Sequence, residues 1–159
     1  MKYEIKTFDN LKHRAQVILL WKEVFGYEAE HNAPELVIDK KFEFGDGLFF
    51  IATVNQDVVG TVMAGYDGHR GWIYSIAVSS EYRKQGLGSE LLSFAEKKLS
   101  TIGCMKINLQ IMEGNELVEK FYLSNGYQTE KRISMGKRLP QNINPTEHGS
   151  SVDSQGRGN

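Results

Sequence analysis

The segment best suited to chemistry is the glycine-rich stretch Ile76–Ser89, which reads IAVSSEYRKQGLGS. An apolar run ends at Val78, a polar loop containing Arg83 and Lys84 follows, and Gly86-Leu-Gly88 leads into a helical pattern. Glycines in such a place leave backbone N–H groups uncovered at the positive end of a helix, which is an arrangement that binds anions. The stretch therefore predicts a site for a phosphate or pyrophosphate group.

Two common phosphate-binding motifs do not fit this stretch. A P-loop requires Gly-x-x-x-x-Gly-Lys-Ser/Thr, and the sequence contains no such spacing. A Rossmann turn requires a third glycine where Leu91 stands and an acidic residue about 20 positions later, where Asn108 stands. In addition, Gly86 lies eight residues beyond the strand rather than directly after it. Neither nucleotide-binding motif is indicated.

A third pattern does fit. Arg83-Lys-Gln-Gly86-Leu-Gly88 resembles the Arg/Gln-x-x-Gly-x-Gly/Ala signature of the GNAT superfamily of N-acetyltransferases, where it also follows a strand that ends in Val. Asn115–Tyr127 resembles the later motif of that family, in which an Asn and a Tyr precede a Gly-aromatic pair. The resemblance extends from the first predicted strand to about Leu139. Further segments that resemble the YpeA-type bacterial branch are Val58–Met63, Gly65–Gly71 and Gly136–Leu139.

This resemblance implies acetyl-CoA as a cosubstrate and no metal. In the family, the pantetheine arm lies in a gap between two splayed strands, and main-chain groups of Ile76 and Val78 would pair with it. Asn115 would bond the pantetheine amide, cap the helix that follows it, or do both. Arg83 and Lys84 would assist the pyrophosphate, the alternative for each being a solvated loop charge. The implied cofactor-binding set is Ile76, Ala77, Val78, Arg83, Lys84, Gln85, Gly86, Leu87, Gly88, Ser89, Asn115 and Tyr122.

The resemblance also implies catalytic roles. The N–H of Ile76 would donate to the thioester carbonyl, and Tyr122 would act as general acid toward the leaving thiolate unless it is a core aromatic residue. The usual base of related members, a Glu four residues before the position of Ile76, is replaced by Trp72. Glu113 is therefore a possible base. Other candidates are His69, Glu28, Glu30 and a chain of water molecules.

The acceptor in this superfamily usually binds between the first two helices and the opening of the sheet, here roughly Trp21–Glu35. Aromatic and acidic residues in this segment suit a cationic amine, although a mixture of core and solvated residues explains them equally well. They are Trp21, Phe25, Tyr27, Glu28, Glu30 and Glu35. A small amine, an amino acid and a protein amine all remain open as acceptors. The alternative function is a non-catalytic CoA-binding module, which the Trp at position 72 favours.

Apolar periodicity predicts the elements that position these groups. Strands are predicted at 2–8, Leu48–Val54, Val58–Tyr66, Trp72–Val78, Met105–Met112, Tyr127–Thr129 and Ile133–Leu139. Helices are predicted from the Asp9 or Asn10 cap to Gly26, from Pro34 to Phe44, from Leu87 to Leu99 and at Asn115–Ser124. In the first helix the predicted core face is Leu11, Ala15, Ile18 and Phe25.

This order predicts an α+β fold of mixed layers. With the resemblance, it implies a GNAT-like fold with a central, mostly antiparallel twisted sheet. We expect about six to seven strands, splayed between the fourth and fifth, and about four flanking helices. The predicted acetyltransferase domain covers residues 1–139, and the polar segment 140–159 is expected to be a flexible tail.

Bulk composition limits the partners and the location. With 19 basic and 20 acidic residues the net charge is −1, which argues against nucleic acid or an anionic membrane surface as a partner. Cys104 is the single cysteine, so no internal disulfide can form, and the four histidines show no metal-ligand spacing. The N-terminal sequence shows no export signal, so a cytoplasmic location is expected. Monomer and homodimer are both open.

Overall fold

The computed structural model describes residues 3–26 and 30–141, without the side chain of Glu30. The chain divides into two units, Met1–Gly126 and Tyr127–Asn159. The predicted site residues Tyr27 and Glu28, and most of the predicted tail, lie outside the described residues.

A single mixed sheet forms the centre of the first unit. Its strands, in both chain and spatial order, are β1 (Glu4–Thr7), β2 (Phe49–Val54), β3 (Asp57–Tyr66), β4 (Gly71–Val78) and β5 (Ile107–Asn108). The first four strands are antiparallel neighbours, and β5 runs parallel to β4. The predicted α+β class and mostly antiparallel sheet are confirmed.

The predicted number of strands is wrong, because the described residues form five strands instead of six to seven. The strand predicted at Met105–Met112 is reduced to Ile107–Asn108, and the two predicted after Gly126 are absent from the described residues of the second unit, 127–141. A strand must form hydrogen bonds with a neighbouring strand. The alternation of apolar and polar residues within a short segment does not specify such a neighbour. In the last predicted strand, Gly136 also weakens the strand preference.

Four helices flank the sheet, and their starts follow from local chemistry. They are α1 (Asn10–Phe25), α2 (Pro34–Phe44), α3 (Leu87–Thr101) and α4 (Glu116–Ser124). The carboxylate of Asp9 accepts the N–H groups of Leu11 and Lys12 and so caps α1. Pro34 stands in the first turn of α2, and Gly45 ends that helix in the left-handed conformation, with a φ of 70°. The predicted bounds of α2 are confirmed.

The predicted core face of α1 is wrong except at Ile18, which is partly buried against the core cluster. Leu11 is 96 % exposed and Phe25 is 50 % exposed, whereas the buried residues are His13, Val17, Leu20 and Trp21. Both sets repeat at intervals of three and four, and residues 17–21 are apolar throughout. Periodicity alone therefore allows more than one face, and packing against the sheet selects between them.

The sheet has a hydrophobic core on each face. On one face α1 and α2 enclose a cluster made of Val17, Leu20, Trp21, Ile38, Phe49, Ile51, Met63 and Ala77. On the other face α3 buries its apolar stripe, which consists of Leu87, Leu91, Leu92, Ala95 and Leu99, as the sequence predicts. A Cβ atom at Gly60 of β3 would lie 2.8 Å from Leu91, so α3 packs directly on the strand there.

The hairpin between β2 and β3 turns through Asn55 and Gln56. Both residues have positive φ angles, 50° and 72°, and Val54 pairs with Asp57 across the turn. This is the geometry of a two-residue type I′ turn, whose twist matches that of the flanking strands. The turn lies between the strands predicted at Leu48–Val54 and Val58–Tyr66, and β3 begins one residue earlier than predicted, at Asp57.

Candidate active site

Along β4, the main-chain N–H and C=O groups of successive residues point alternately toward β3 and toward the side on which β5 lies. The N–H of Ser79 donates to the carbonyl oxygen of Val59 at 2.8 Å, which fixes which residues of β4 point toward β3. In an antiparallel ladder, the residues one and three positions before Ser79 belong to non-hydrogen-bonded pairs. The N–H and C=O groups of Val78 and Ile76 therefore point away from β3, toward the side on which β5 begins.

On that side β4 and β5 diverge. Among the described residues, β5 pairs with β4 only at Gly71 and Trp72, and the N–H of Gly71 donates to the carbonyl oxygen of Lys106 at 2.9 Å. From Ile73 to Val78, β4 has no strand partner on this side in the described part of the chain. The sheet is therefore splayed between its fourth and fifth strands, which confirms that expectation.

The loop after β4 has an unusual backbone conformation. Gly86, the N-cap of α3, has a φ of 85°, and Lys84 has a φ of 60°. The left-handed region is strained for a lysine and is most often retained at functional sites. Alternating left-handed residues turn successive N–H groups toward a common point and form an anion-binding concavity. Residue types alone gave no indication of this conformation at Lys84.

The start of α3 is open to a ligand. Among the described residues no side chain caps its first N–H groups, and a Cβ atom at Gly86 would meet none of their atoms within 4 Å. These N–H groups carry the positive end of the helix dipole. The predicted pyrophosphate site is thus a helix terminus with bare donors and free space in front of it.

At position 88 a glycine is needed because a side chain would meet neighbouring residues. A Cβ atom at this position would lie 3.2 Å from the ring of Phe121 and 3.9 Å from the side chain of Val78. The helix α4 therefore packs across the start of α3, beside the end of β4. This contact brings together the three segments that the sequence identified separately, and Phe121 is a positioning residue that sequence reasoning missed.

The side chain of Arg83 connects the loop to β4 by a hydrogen bond. Its Nε donates to the carbonyl oxygen of Val78 at 3.1 Å, which is a carbonyl on the gap side of β4. The neighbouring Gln85 donates to the carbonyl oxygen of Glu81 and accepts from the hydroxyl of Tyr3, each at 3.3 Å. Arg83 therefore sits between the strand gap and the start of α3.

Tyr122 of α4 is only 8 % exposed. Its ring meets that of Phe121 edge to face, with 5.0 Å between the centroids. Burial raises the pKa of Tyr122 to about 12, because the phenolate would lose its hydration. At neutral pH the phenol is therefore protonated and acts as a hydrogen-bond donor.

Asn115 and Glu113 lie just before α4. The side-chain oxygen of Asn115 accepts the N–H of Val118 at 3.4 Å, so the capping alternative is correct for this residue. Glu113 is exposed and stands in a turn, five residues beyond the end of β5 at Asn108, and not at the end of a strand as expected.

The other base candidates lie apart from Ile76 or outside the described residues. His69 is in the turn before β4, and seven residues of extended chain, roughly 20 Å, separate it from Ile76. The indole N–H of Trp72 donates to the carboxylate of Asp67 at 3.3 Å, so this residue closes the hairpin. The backbone of Glu30 forms a short 3-10 turn, but its side chain, like Glu28, is not described.

The expected acceptor segment separates into core and surface. Trp21 is 4 % exposed, and its indole N–H donates to the hydroxyl of Thr61 at 2.8 Å, so it is a core residue. Glu35 pairs with Lys22 at 3.6 Å on the surface. A further carboxylate, that of Glu23, accepts the hydroxyl of Ser80 at 3.4 Å and so lies near the end of β4.

Within residues 3–26 and 30–141, no group of three or more His, Cys, Asp or Glu side chains is arranged to hold a metal ion. The helices of this part of the chain are too short or too polar to span a membrane.

Comparison with known proteins agrees with this geometry. Residues 15–127 match the model of the acetyltransferase (GNAT) family. A relative named acetyltransferase from Yersinia pestis (strain Pestoides F) is 42 % identical over 124 residues, which cover 78 % of this chain and 87 % of the relative.

Solved structures share the fold at low sequence identity. A PaiA N-acetyltransferase from Thermoplasma acidophilum in complex with coenzyme A has a TM-score of 0.72 at 19 % identity, covering 84 % of this chain and 94 % of that one. An aminoglycoside N-acetyltransferase, AAC(6')-Iy, in complex with CoA has a TM-score of 0.71 at 16 % identity, covering 86 % of this chain and 95 % of that one. The chain therefore belongs to the acetyltransferase (GNAT) family and is an N-acetyltransferase.

Proposed function

We propose that this enzyme moves the acetyl group of acetyl-CoA to a primary amine by direct attack within a ternary complex. The observation on which the proposal rests is the strand gap beside β4. There the main-chain groups of Ile76 and Val78 point into the gap, next to the uncapped start of α3. The solved neighbours in complex with CoA support the choice of cosubstrate.

The residues present fit acetyl-CoA. An extended pantetheine arm requires main-chain donors and acceptors along a strand edge. Ile76 offers its N–H and carbonyl groups and Val78 its N–H, because the carbonyl oxygen of Val78 already accepts from Arg83. A pyrophosphate requires convergent N–H groups and space, which the loop from Gln85 to Ser89 supplies. Arg83 and Lys84 add positive charge at this loop, and Asn115 would bond the pantetheine amide in addition to capping α4.

Bound acetyl-CoA supplies an activated acyl group that an amine can attack. The N–H of Ile76 donates to the acyl oxygen as negative charge develops there, which stabilises the transition state more than the ground state. Tyr122 donates a hydrogen bond to the departing sulfur. Burial raises its pKa to about 12, so at neutral pH the phenol holds the proton that the departing thiolate would take up, as expected of a general acid.

The amine must lose its proton before it attacks. An alkylamine with a pKa near 10.4 is mostly charged at neutral pH, so a base or a water chain is required. We retain Glu113 as the candidate base and add Glu23, whose carboxylate lies near the end of β4. Replacement of each by Gln should show which one shifts the pH–rate profile to higher pH.

Calorimetric titration with acetyl-CoA and with desulfo-CoA tests the cosubstrate. We expect wild-type protein to bind both ligands, and Gly86→Glu to lose both, because a carboxylate would replace the pyrophosphate. Gly68→Glu is the matched control. Gly68 also has a positive φ, 94°, and free space around it, but it lies in the β3–β4 turn. Absence of binding to the wild-type protein would contradict the proposal, and so would equal loss in the two variants.

Release of free CoA in the presence of an amine panel measures the transfer itself. A protein that only bound CoA, the alternative for which Trp72 in place of a strand carboxylate is an argument, would release none. We further propose that the enzyme works in the bacterial cytoplasm as a monomer or homodimer. Its net charge of −1 argues against nucleic acid and anionic membranes as partners.

A further inference from the structure

The peptide groups of β4 change their direction once along the strand. The N–H of Gly71 donates to the carbonyl oxygen of Lys106 on the β5 side, whereas the N–H of Ser79 donates to the carbonyl oxygen of Val59 in β3. In a regular strand, residues eight positions apart point to the same side, so one residue between them must be an insertion in the pairing. Without this insertion the N–H of Ile76 would point toward β3 instead of the gap.

The inserted residue is Tyr74. Its two neighbours in β4 pair with consecutive residues of β3, Ala64 and Met63, and within these described strands Tyr74 itself has no partner. Bulges of this kind redirect the groups that follow them and are frequent beside active sites. Tyr74 precedes Ile76 by two residues, roughly 7 Å along the strand. The direction of the Ile76 N–H therefore depends on the bulge remaining at Tyr74.

Lys41 of α2 contacts this bulge. Its ammonium lies 5.6 Å from the centroid of the Tyr74 ring and donates to the carbonyl oxygen of Ala64, the residue of β3 beside the bulge. The side chain of Lys41 is only 10 % exposed. On its other side the ring meets the backbone of Gly65, where a Cβ atom would lie 2.5 to 3.0 Å from the ring atoms. Lys41 and Gly65 thus hold the ring of the bulge residue between them.

Lys41 also completes the end of the pairing between β2 and β3. The N–H of Ala64 donates to the carbonyl oxygen of Leu48 at 2.8 Å, and in a regular antiparallel pair the reverse bond would form as well. Here the N–H of Leu48 donates to the carboxylate of Asp46 at 3.0 Å, and Asp46 is bonded to Lys41 at 2.7 Å. The lysine and the aspartate therefore supply the two missing partners at the level of the bulge.

The end of β4 is held independently of Lys41. The bond from Ser79 to Val59 fixes the strand beyond the bulge, and the loop that leads to α3 begins after it. Loss of Lys41 should therefore disturb the peptide of Ile76 while it spares the N–H of Val78 and the start of α3. These two effects can be measured separately.

We propose that Lys41 is a positioning residue for acetyl transfer. By holding Tyr74 in the bulge, it keeps the N–H of Ile76 directed at the thioester carbonyl. This inference rests on the proposed acetyl transfer and adds the residue that holds its hydrogen-bond donor in place.

Infrared difference spectroscopy of bound acetyl-CoA, isotope-labelled at the acetyl carbonyl carbon, tests the proposal without an acceptor amine. A hydrogen bond from Ile76 lowers the stretching frequency of this carbonyl relative to free acetyl-CoA. We expect this shift in the wild-type protein and less than about half of it in Lys41→Met, because a hydrogen bond weakens steeply when it is misaligned. The affinity for desulfo-CoA, measured by calorimetry, should stay within about threefold, because its binding groups lie beyond the bond of Ser79.

A double variant separates positioning from charge. In Lys41→Met the carboxylate of Asp46, which is 18 % exposed, loses its counter-charge and lowers the stability of the fold. Lys41→Met/Asp46→Asn removes that charge and keeps an acceptor for the N–H of Leu48. We expect this variant to regain thermal stability but not the carbonyl shift. With an amine that the wild-type enzyme acetylates, its kcat should be about 10- to 100-fold lower.

Arg14→Met is the matched control. Arg14 is bonded to Asp39 at 2.6 Å, so this ion pair joins α1 to α2 instead of joining α2 to the sheet. The control variant should keep the full carbonyl shift and the wild-type kcat, even where its thermal stability is lower.

Two results would overturn the proposal. One is an unchanged carbonyl shift in Lys41→Met, and the other is recovery of the shift in the double variant, which would assign the effect to the unpaired charge of Asp46. Failure of the proposed function differs from both. The wild-type protein would then not bind acetyl-CoA, or would bind it with the carbonyl frequency of the free thioester.

Discussion

At the residue scale, Tyr122 combines a titratable group with almost complete burial. Burial raises the pKa of Tyr122 to about 12 and keeps the phenol neutral. Its position beside Phe121, and through that ring beside Gly88, places it in the helix that packs against the start of α3. This position suits the donor role that we propose for Tyr122.

Tyr122→Phe should therefore lower kcat by about 100-fold or more, because a hydrogen-bond donor to the leaving sulfur is lost. Its affinity for acetyl-CoA should remain within about twofold, since the ring and its packing are preserved. Turnover and calorimetry on the same preparation check both parts. Tyr66→Phe is the matched control, as the hydroxyl of Tyr66 bonds to the carbonyl oxygen of Gly68 in the distant hairpin. Unchanged turnover in Tyr122→Phe would remove this residue from the mechanism.

Sequence reasoning identified the site residues by type but not by conformation. Gly86 and Gly88 were recognised together, yet one supplies a left-handed N-cap and the other makes room for Phe121. The strained φ of Lys84 and the bulge at Tyr74 were not foreseen. Both features depend on how β4 pairs with β3 and on how the loop enters α3, and no single residue type determines either.

At the element scale, local signals predicted most boundaries. Pro34 and Gly45 delimit α2, and the apolar stripe of α3 is buried as expected. The face of α1 was mistaken, because residues 17–21 are apolar all round and only the sheet selects the buried side. The strands expected after Gly126 failed for a related reason, since alternation does not specify a partner.

The β2–β3 hairpin supports a prediction about stability. Gln56 holds a φ of 72° in the second central position of a type I′ turn, where glycine is preferred. Gln56→Gly should raise the free energy of unfolding by about 0.5 to 1 kcal/mol, the left-handed penalty less the entropic cost of glycine. Urea denaturation measures the change. Gln56→Ala keeps the backbone penalty and should give no gain, so a similar gain in both variants would contradict the explanation.

At the scale of the whole molecule, the strand gap arises from sheet topology. The strands β2, β3 and β4 are connected by short turns, whereas β5 reaches β4 only after the full length of α3. A parallel neighbour joined by a helix can pair at one end of β4 and leave the other end accessible. The position that we propose for the cosubstrate thus follows from chain connectivity, which the order of predicted elements already implied.

The stability of the whole molecule should depend on the pH through His13. This buried side chain accepts the N–H of Asp9 at its Nδ1, at 2.9 Å, so the native state requires the neutral ring. Burial lowers the pKa of His13 below 6.5, and the charge of Lys6 acts in the same direction. The charge of Asp9 raises it by less than either, and that of Lys12 has a still smaller lowering effect.

Because its pKa is lower in the folded state, the unfolded chain binds more protons at this position below about pH 6.5. The free energy of unfolding contributed by His13 should therefore be complete above that pH and decrease as the pH falls through the folded pKa. Urea denaturation between pH 7.5 and 5 measures the slope, and His13→Gln provides the comparison because it removes the titrating ring while the other histidines remain. A slope that is equal in the two proteins would assign the acid sensitivity to other groups, whereas a shallower slope in His13→Gln would show that the cap of α1 links protonation to the stability of the fold.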